Sequence, residues 1–377
     1  MKKLAKALAL TTILLLNGCS TKESEQDTRG EAVSNDFVSV EVIGGEYILD
    51  EENMATEEEG YLALNIRLEN KSKESLDVYE NDFSLYDSDG NQVASKRVYA
   101  EENAGLKEFS ASSLSGKKST NGYIVFNIDK GQEYELHYQP AYYTDQTKAK
   151  EIEVKIDTSK FSDDATAVQQ LTQRYIEEVF LGKTTDTSDT SDSTGQSETQ
   201  GGSRLSLTND LSAEHDTFNE TFTKLIKDDL FSYYEPSATE IEKILESYEK
   251  ANQENGKVTY TIASLYPKQA IVYVKPELIN FYDVDVNSID DEFTDANRGK
   301  YTSADYDKIY TDAEKYRAQK LPEVLSNTEN TSSESGDGYR IILVKTTDGK
   351  WSVDSSDSTE NYDFSSLKEV FMGGLYE

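Results

Sequence analysis

Between residues 37 and 157 the apolar positions recur every second residue. In "GYLALNIRLENKS", Leu62, Leu64, Ile66 and Leu68 face one way, while Ala63, Asn65 and Arg67 face the other. That period of two predicts a strand with one face in a core and one in solvent. The same alternation marks Val38, Val40 and Val42, then Ile124, Phe126 and Ile128. It returns at Tyr134, Leu136 and Tyr138 and at Ile152, Val154 and Ile156. Asp89-Gly90 and Lys130-Gly131 are turn signals between runs. About six to eight short strands without a clear helix predict a β-sandwich over residues 36–158.

The period changes near residue 163. Val168, Leu171, Tyr175 and Val179 lie on one helical face that runs to Gly182. The following segment, "KTTDTSDTSDSTGQSETQGGSR", holds no large apolar residue, and its composition predicts a disordered acidic Ser/Thr insertion across 183–209. Helical spacing resumes at Phe218, Phe222, Leu225 and Ile226. Ser237 and Glu240 form a capping-box pattern ahead of Ile241, Ile244, Leu245 and Tyr248, and Gly256 supplies the stop. Strands follow in "VTYTIASLY" and "QAIVYVKPEL", then a helix around 303–320. A hairpin about Asp348-Gly349 and a closing helix at Leu367, Val370 and Phe371 end the chain. Helices followed by a strand meander predict an α+β domain over 163–377 with its helices on one face of the sheet.

The fold class expected is therefore multidomain: an all-β immunoglobulin-like sandwich, then an α+β domain whose element order resembles the SnoaL-like or cystatin-like cone. "YLALNIRLENKSKESLDVYENDFSLYDSDGNQ" and "LSGKKSTNGYIVFNI" resemble the telokin-like domain of uncharacterised Gram-positive lipoproteins. That resemblance implies a β-sandwich without catalytic residues. "YIEEVFLGK" and "DGKWSVD" resemble the start and end of a second uncharacterised lipoprotein domain that accompanies telokin-like modules. It implies that the acidic segment is an insertion after the first helix of the second domain.

The N-terminus gives an address. Lys2, Lys3 and Lys6 precede the short apolar run Leu8 to Leu16, which is well under the roughly 20 residues a membrane-spanning helix needs. Residues 1–18 read as a signal peptide. Leu16-Asn17-Gly18-Cys19 resembles the lipobox of bacterial lipoproteins, which implies cleavage before Cys19 and lipidation of its thiol by a diacylglyceryl group, with a further acyl chain on the amine. Two or three chains anchor stably where one is marginal. Residues 19–35 are almost devoid of apolar side chains and read as a flexible tether. The expected location is the extracellular face of the cell membrane.

Cys19 is the only cysteine, so the exported chain has no disulfide and no other thiolate for catalysis or metal binding. The formal net charge is −34, with 72 acidic against 38 basic residues. A field of that sign repels nucleic acid and anionic headgroups. Apart from the lipid contact with the membrane, it leaves envelope proteins and small neutral or cationic ligands as candidate partners.

Candidate chemistry is sparse. The two histidines, His137 in a predicted strand and His215 near a helix start, cannot supply the three or four His/Cys ligands of a usual zinc site. No metal, cofactor or catalytic residue is expected. "DVDVNSIDDEF" sets Asp283, Asp285, Asn287 and Asp291 at calcium-loop positions, but Ser288 stands where the loop needs Gly and Thr294 where it needs Glu. Val284 and Val286 predict an extended strand there instead. Tyrosine is abundant, 25 against 13 Phe and one Trp. Tyr175, Tyr248 and Tyr260 fall on apolar stripes and are expected in cores. By analogy with cone folds, Tyr266, Tyr273, Tyr306 and Tyr310 could line a pocket.

The functional expectation is a non-enzymatic binding module on a lipid anchor. The alternative is a carboxylate-dependent envelope hydrolase in the C-terminal domain. Cys19→Ser should release the protein into the medium or leave its signal uncleaved. Fractionation that finds the processed variant still on the membrane would refute the lipid anchor.

Overall fold

The computed structural model describes residues 30–50, 56, 58–140, 151–183, 205–302, 305–332 and 336–376. Cys19, the signal segment and most of the Ser/Thr-rich insertion lie outside the described residues. Among the described residues no helix is long and apolar enough to cross a membrane.

The first half is sheet-rich. Its strands are β1 Val33–Ser34, β2 Val38–Ile48, β3 Glu59–Asn70, β4 Leu76–Val78, β5 Phe83–Tyr86 and β6 Gln92–Val93. They continue with β7 Ser95–Lys96, β8 Ser112–Leu114, β9 Ser119–Asp129, β10 Glu133–Tyr138 and β11 Ile152–Asp157. One antiparallel sheet runs β1-β2-β3-β9-β7 and a second runs β11-β10-β5-β6, with β4 and β8 paired apart. Leu62, Leu64, Ile66 and Leu68 of β3 meet Leu85, Leu136 and Val154 of the second sheet in one buried core. Alternation thus has its expected cause: every second side chain is removed from water, at about 25 cal/mol per Å² of apolar surface. Gly122 of β9 lies under the crossing segment at Phe109, where an added Cβ would stand 2.5 Å from the Phe109 Cα. No larger residue fits that approach.

Two expectations change here. The tether expected to reach residue 35 ends earlier, because Gly30 N–H donates to the Val42 carbonyl and Val33 pairs with Val40. Ala63, assigned to the solvent face of β3, is fully buried. It packs with Ile48, Val98, Ala104, Leu106 and Val125 against Tyr266 of the second half. A small apolar residue on a nominally polar face was marking a covered surface.

The second half alternates helices and strands: α1 Ala165–Val179, α2 Leu211–Leu230, α3 Ala238–Asn255, β12 Lys257–Leu265 and β13 Gln269–Leu278. Then come α4 Val286–Ala296, α5 Tyr306–Leu325, β14 Thr331–Ser332, β15 Tyr339–Lys345, β16 Trp351–Val353 and α6 Tyr362–Phe371. The sheet runs β12-β13-β15-β16, with β14 on β13. Val168, Tyr175 and Val179 of α1 share a buried core with Phe222 of α2, Tyr248 of α3, Val272 of β13 and Trp351. The helix before the Ser/Thr-rich segment and the helices after it therefore belong to one core. The Ser237 side chain accepts from Glu240 N–H, and Glu240 accepts from Ser237 N–H at 2.9 Å, completing the capping box of α3.

Residues 205–209, expected to belong to the disordered Ser/Thr-rich insertion, are instead tied to the sheet. Thr208 N–H donates to the Trp351 carbonyl, and Asn209 accepts from Val353 N–H at 2.8 Å. Where a strand was expected around Val284 and Val286, a turn at Val284 leads into α4, which Val286 opens. Asp285 caps the helix by accepting from Ser288 N–H at 3.0 Å, and Ile289 and Phe293, four residues apart, are buried. The cap and the i, i+4 pair outweigh the β preference of two valines.

The halves meet through backbone and charge. Leu49 and Leu265 exchange N–H to carbonyl bonds at 2.9 and 3.0 Å, and Lys268 N–H donates to the Ala104 carbonyl. Beside this seam the Lys345 ammonium lies 3.8 Å from Glu46 and 3.6 Å from Asp164. Burial pushes the Glu46 carboxyl above its ordinary range, Lys345 draws it back and Asp164 pushes it up again. The neighbouring Tyr123 phenol is pushed up to about 12 by burial and by the Glu46 charge.

A carboxyl raised in the folded state gains its proton on folding, so its contribution to stability grows as pH falls through the folded value. That gain is complete below the unfolded value of about 4.3. Wild type should therefore gain thermal stability relative to Glu46→Gln as pH is lowered from 7 towards 4. Melting curves that stay parallel across this range would show that Glu46 titrates no differently in the two states.

Candidate functional site

The loop from Phe231 to Pro236 joins α2 to α3 and lies against α5. Three of its backbone N–H groups converge on a single carboxylate. Glu314 of α5 is 6% exposed. It accepts from Ser232 N–H at 3.0 Å, Tyr233 N–H at 2.6 Å and Tyr234 N–H at 2.7 Å. Successive backbone N–H groups converging on one anion form a nest, the arrangement that stabilises a buried carboxylate. The Thr311 hydroxyl donates to the Tyr233 carbonyl at 3.2 Å. Arg317, one turn beyond Glu314, donates to the Leu230 carbonyl at 3.0 Å and to Asp290 at 2.7 Å, tying the end of α2 to α4.

This scaffold fixes the backbone of Tyr233 while its ring points outward. The ring stacks on Tyr310 with centroids 4.9 Å apart and planes 25° apart. Tyr310 in turn meets Tyr306, its i, i+4 neighbour on α5, at 4.6 Å. The three rings are 48%, 40% and 57% exposed, in the order Tyr233, Tyr310, Tyr306. Stacked pairs of this kind contribute about 0.5–1.5 kcal/mol beyond area burial. A row of touching rings with hydroxyl rims offers a wide amphipathic surface at little further cost in side-chain entropy.

The tyrosine pocket expected by analogy does not form. Tyr266 is buried in the seam between the two halves, Tyr273 lies on β13, and Tyr306 and Tyr310 face outward. Tyr233, which completes the platform, stands in a loop that carries no periodic signal. Only the pairing of Tyr306 with Tyr310 at helical spacing was readable.

The remaining residues singled out are separate. His215 stands near the start of α2, where Nδ1 lies 2.9 Å from the Val179 carbonyl at the end of α1 and Nε2 lies 3.0 Å from Asn219. Burial raises the nearby Glu249 carboxyl, and His215 lowers it. Asp283 and Asp285 border an open acidic cleft of 520 Å³ with Glu292 and Lys320. Asp285 is committed to its cap, and Asp283 accepts from Thr331 at 3.1 Å. The calcium-loop spacing therefore reports a helix start. His137, in β10, lies in a 750 Å³ cleft on the outer face of the second sheet. Its Nδ1 is 2.9 Å from Glu151 and its ring meets Tyr86 edge-on.

Glu314→Ala leaves three backbone N–H groups without their anion. It should cost about 2–3 kcal/mol, the scale of hydrogen bonds to a charged group, read from chemical denaturation. It should also raise hydrogen exchange at residues 232–234, whereas unchanged exchange there would separate the loop from Glu314.

Residues 29–156 match a family model described as a domain of unknown function (DUF4352), and residues 206–372 match another, DUF5105. A curated relative, the uncharacterised lipoprotein YcdA of Bacillus subtilis, is 26% identical over 97% of this chain and 98% of its own. The crystal structure of YcdA superposes with a TM-score of 0.62 at 22% identity, covering 90% of this chain and 97% of that one. The multidomain arrangement, a sheet-rich first part and an α+β second part, is shared with that structure. This chain is thus homologous along nearly its whole length to an uncharacterised lipoprotein, and its two parts match two domain families of unknown function.

Proposed function

We propose that the chain is a lipid-anchored protein of the outer face of the cell membrane whose C-terminal domain is a non-enzymatic binding module. On this reading the N-terminal domain is an immunoglobulin-like, telokin-like sandwich that carries the C-terminal domain away from the bilayer, and the latter is a cone of the SnoaL-like or cystatin-like kind. Two sheets around one core support the first assignment, and a core in which helices pack against alternate residues of β13 and β15 supports the second. Cys19 is the anchor.

The observation that carries the proposal is the exposed row formed by Tyr306 and Tyr310 of α5 with Tyr233 of the loop that Glu314 fixes. Large rings with polar rims, held in place before binding, favour recognition of an envelope protein or of a small neutral or cationic ligand. The alternative, a carboxylate-dependent hydrolase, calls for an acid buried in an enclosed pocket. Glu314 has its oxygens occupied by the loop backbone, and Glu249, whose carboxyl burial raises, stands beside His215 and Asn219 in the helical layer. That weighs towards binding.

The test is cross-linking in intact cells with a C-terminal tag, comparing wild type with the Tyr233→Ala/Tyr310→Ala double variant. One recurrent envelope component captured by wild type and reduced about tenfold or more in the variant is expected, the scale of losing a binding hot spot. Equal capture by both proteins would remove the platform from the binding surface.

A further inference from the structure

The outer face of the β11-β10-β5-β6 sheet carries a side-chain cluster remote in sequence from the tyrosine platform. We propose that His137, Glu151 and Glu153 form a binding site for a divalent transition-metal cation of the zinc type. Antiparallel pairing places His137 directly opposite Glu153, and the period of two puts Glu151 on the same face beyond it. One donor atom from each residue lies within 4.8 Å of the other two. Donors bound to one ion at about 2.0–2.2 Å stand no more than about 4 Å apart. Rotation of two exposed glutamate side chains supplies the difference.

A second observation concerns the other ring nitrogen. His137 is 16% exposed, and its Nε2 is shielded from solvent with no hydrogen-bond partner. The Glu135 carboxylate stands 3.6 Å from it. An imidazole that gives Nδ1 to a metal presents Nε2–H on its far side. A carboxylate beyond that N–H orients metal-bound histidines and raises their basicity. The Tyr86 ring, 4.7 Å away and edge-on, fixes the imidazole plane.

The donor set chooses among ions. A nitrogen with two carboxylates, leaving positions for water, suits zinc and its first-row neighbours, whereas calcium and magnesium take oxygen donors. Glu133 and Asp157 border the same cleft and add to the attraction for a cation, against Lys155 and Lys160 on the same lining. The competing account is an imidazolium held between Glu151 and Glu135 with no ion at all. It has no need of Glu153 and binds no metal.

Titration calorimetry of the full chain, carrying no histidine tag, with zinc chloride and calcium chloride at neutral pH separates the two accounts. Wild type and His215→Ala should each show one saturable zinc site, and His137→Ala should show none. Glu135→Gln should weaken zinc by about tenfold, the low end for an outer-shell partner. Should His137→Ala fail to fold by circular dichroism, the Glu151→Gln/Glu153→Gln double variant is read in its place, with the same loss expected. Equal zinc affinity in wild type and His137→Ala, no saturable zinc binding in wild type, or displacement of zinc by equimolar calcium would overturn the assignment.

Discussion

Lys345 brings a positive charge to the seam between two acidic halves, beside the backbone exchange that joins them. Its ammonium lies between Glu46 of the first sheet and Asp164 at the start of α1, above the Trp351 ring at 5.4 Å. Carboxylates brought together without a cation would repel in a site where water screens them poorly. One lysine answers both, and its stem packs on the buried indole. Around it the Leu49–Leu265 backbone exchange and Tyr266 complete the contact. No disulfide takes part, so backbone hydrogen bonds, side-chain packing and a few charged contacts carry the join.

The same device recurs on the C-terminal domain at smaller scale. Glu314 is a buried carboxylate neutralised by oriented N–H dipoles where Glu46 has an ammonium. Glu46 is a half-buried acid within β2, whereas Glu314 organises a loop with little regular secondary structure of its own. At the seam the result is a closed interface, and on α5 it is an exposed aromatic surface. The proposed binding role rests on that contrast: core packing does not account for rings left in water but held by a fixed backbone.

The two sheet faces of the N-terminal part illustrate how a strand can serve two ends. The inward side of β3 fills the core between sheets, while Ala63 on its other side is covered by the seam. The second sheet keeps its outer face open, and there cross-strand neighbours His137 and Glu153 sit beside Glu135 and Glu151. Edge-on packing of Tyr86 limits the ring's freedom at that open face.

Local periodicity was enough to place β2, β3, β9, β10 and β11, the face of α1 and the capping box of α3, because each depends on neighbours within a few residues. The N-terminal address is an expectation read from one short run ending at Cys19, which lies outside the described residues. Where two local signals competed, as valines against the Asp285 cap at α4, the winner was decided by burial of Ile289 and Phe293 against the rest of the domain. The platform and the histidine cluster were beyond local reading. Tyr233 and Tyr310 are 77 residues apart in number yet stacked, and His137 meets Glu151 and Glu153 only through strand pairing. Sequence by itself determined the elements and the charge. Tertiary structure decided which side chains are neighbours, because long-range packing sets the distances between groups that no periodic pattern relates.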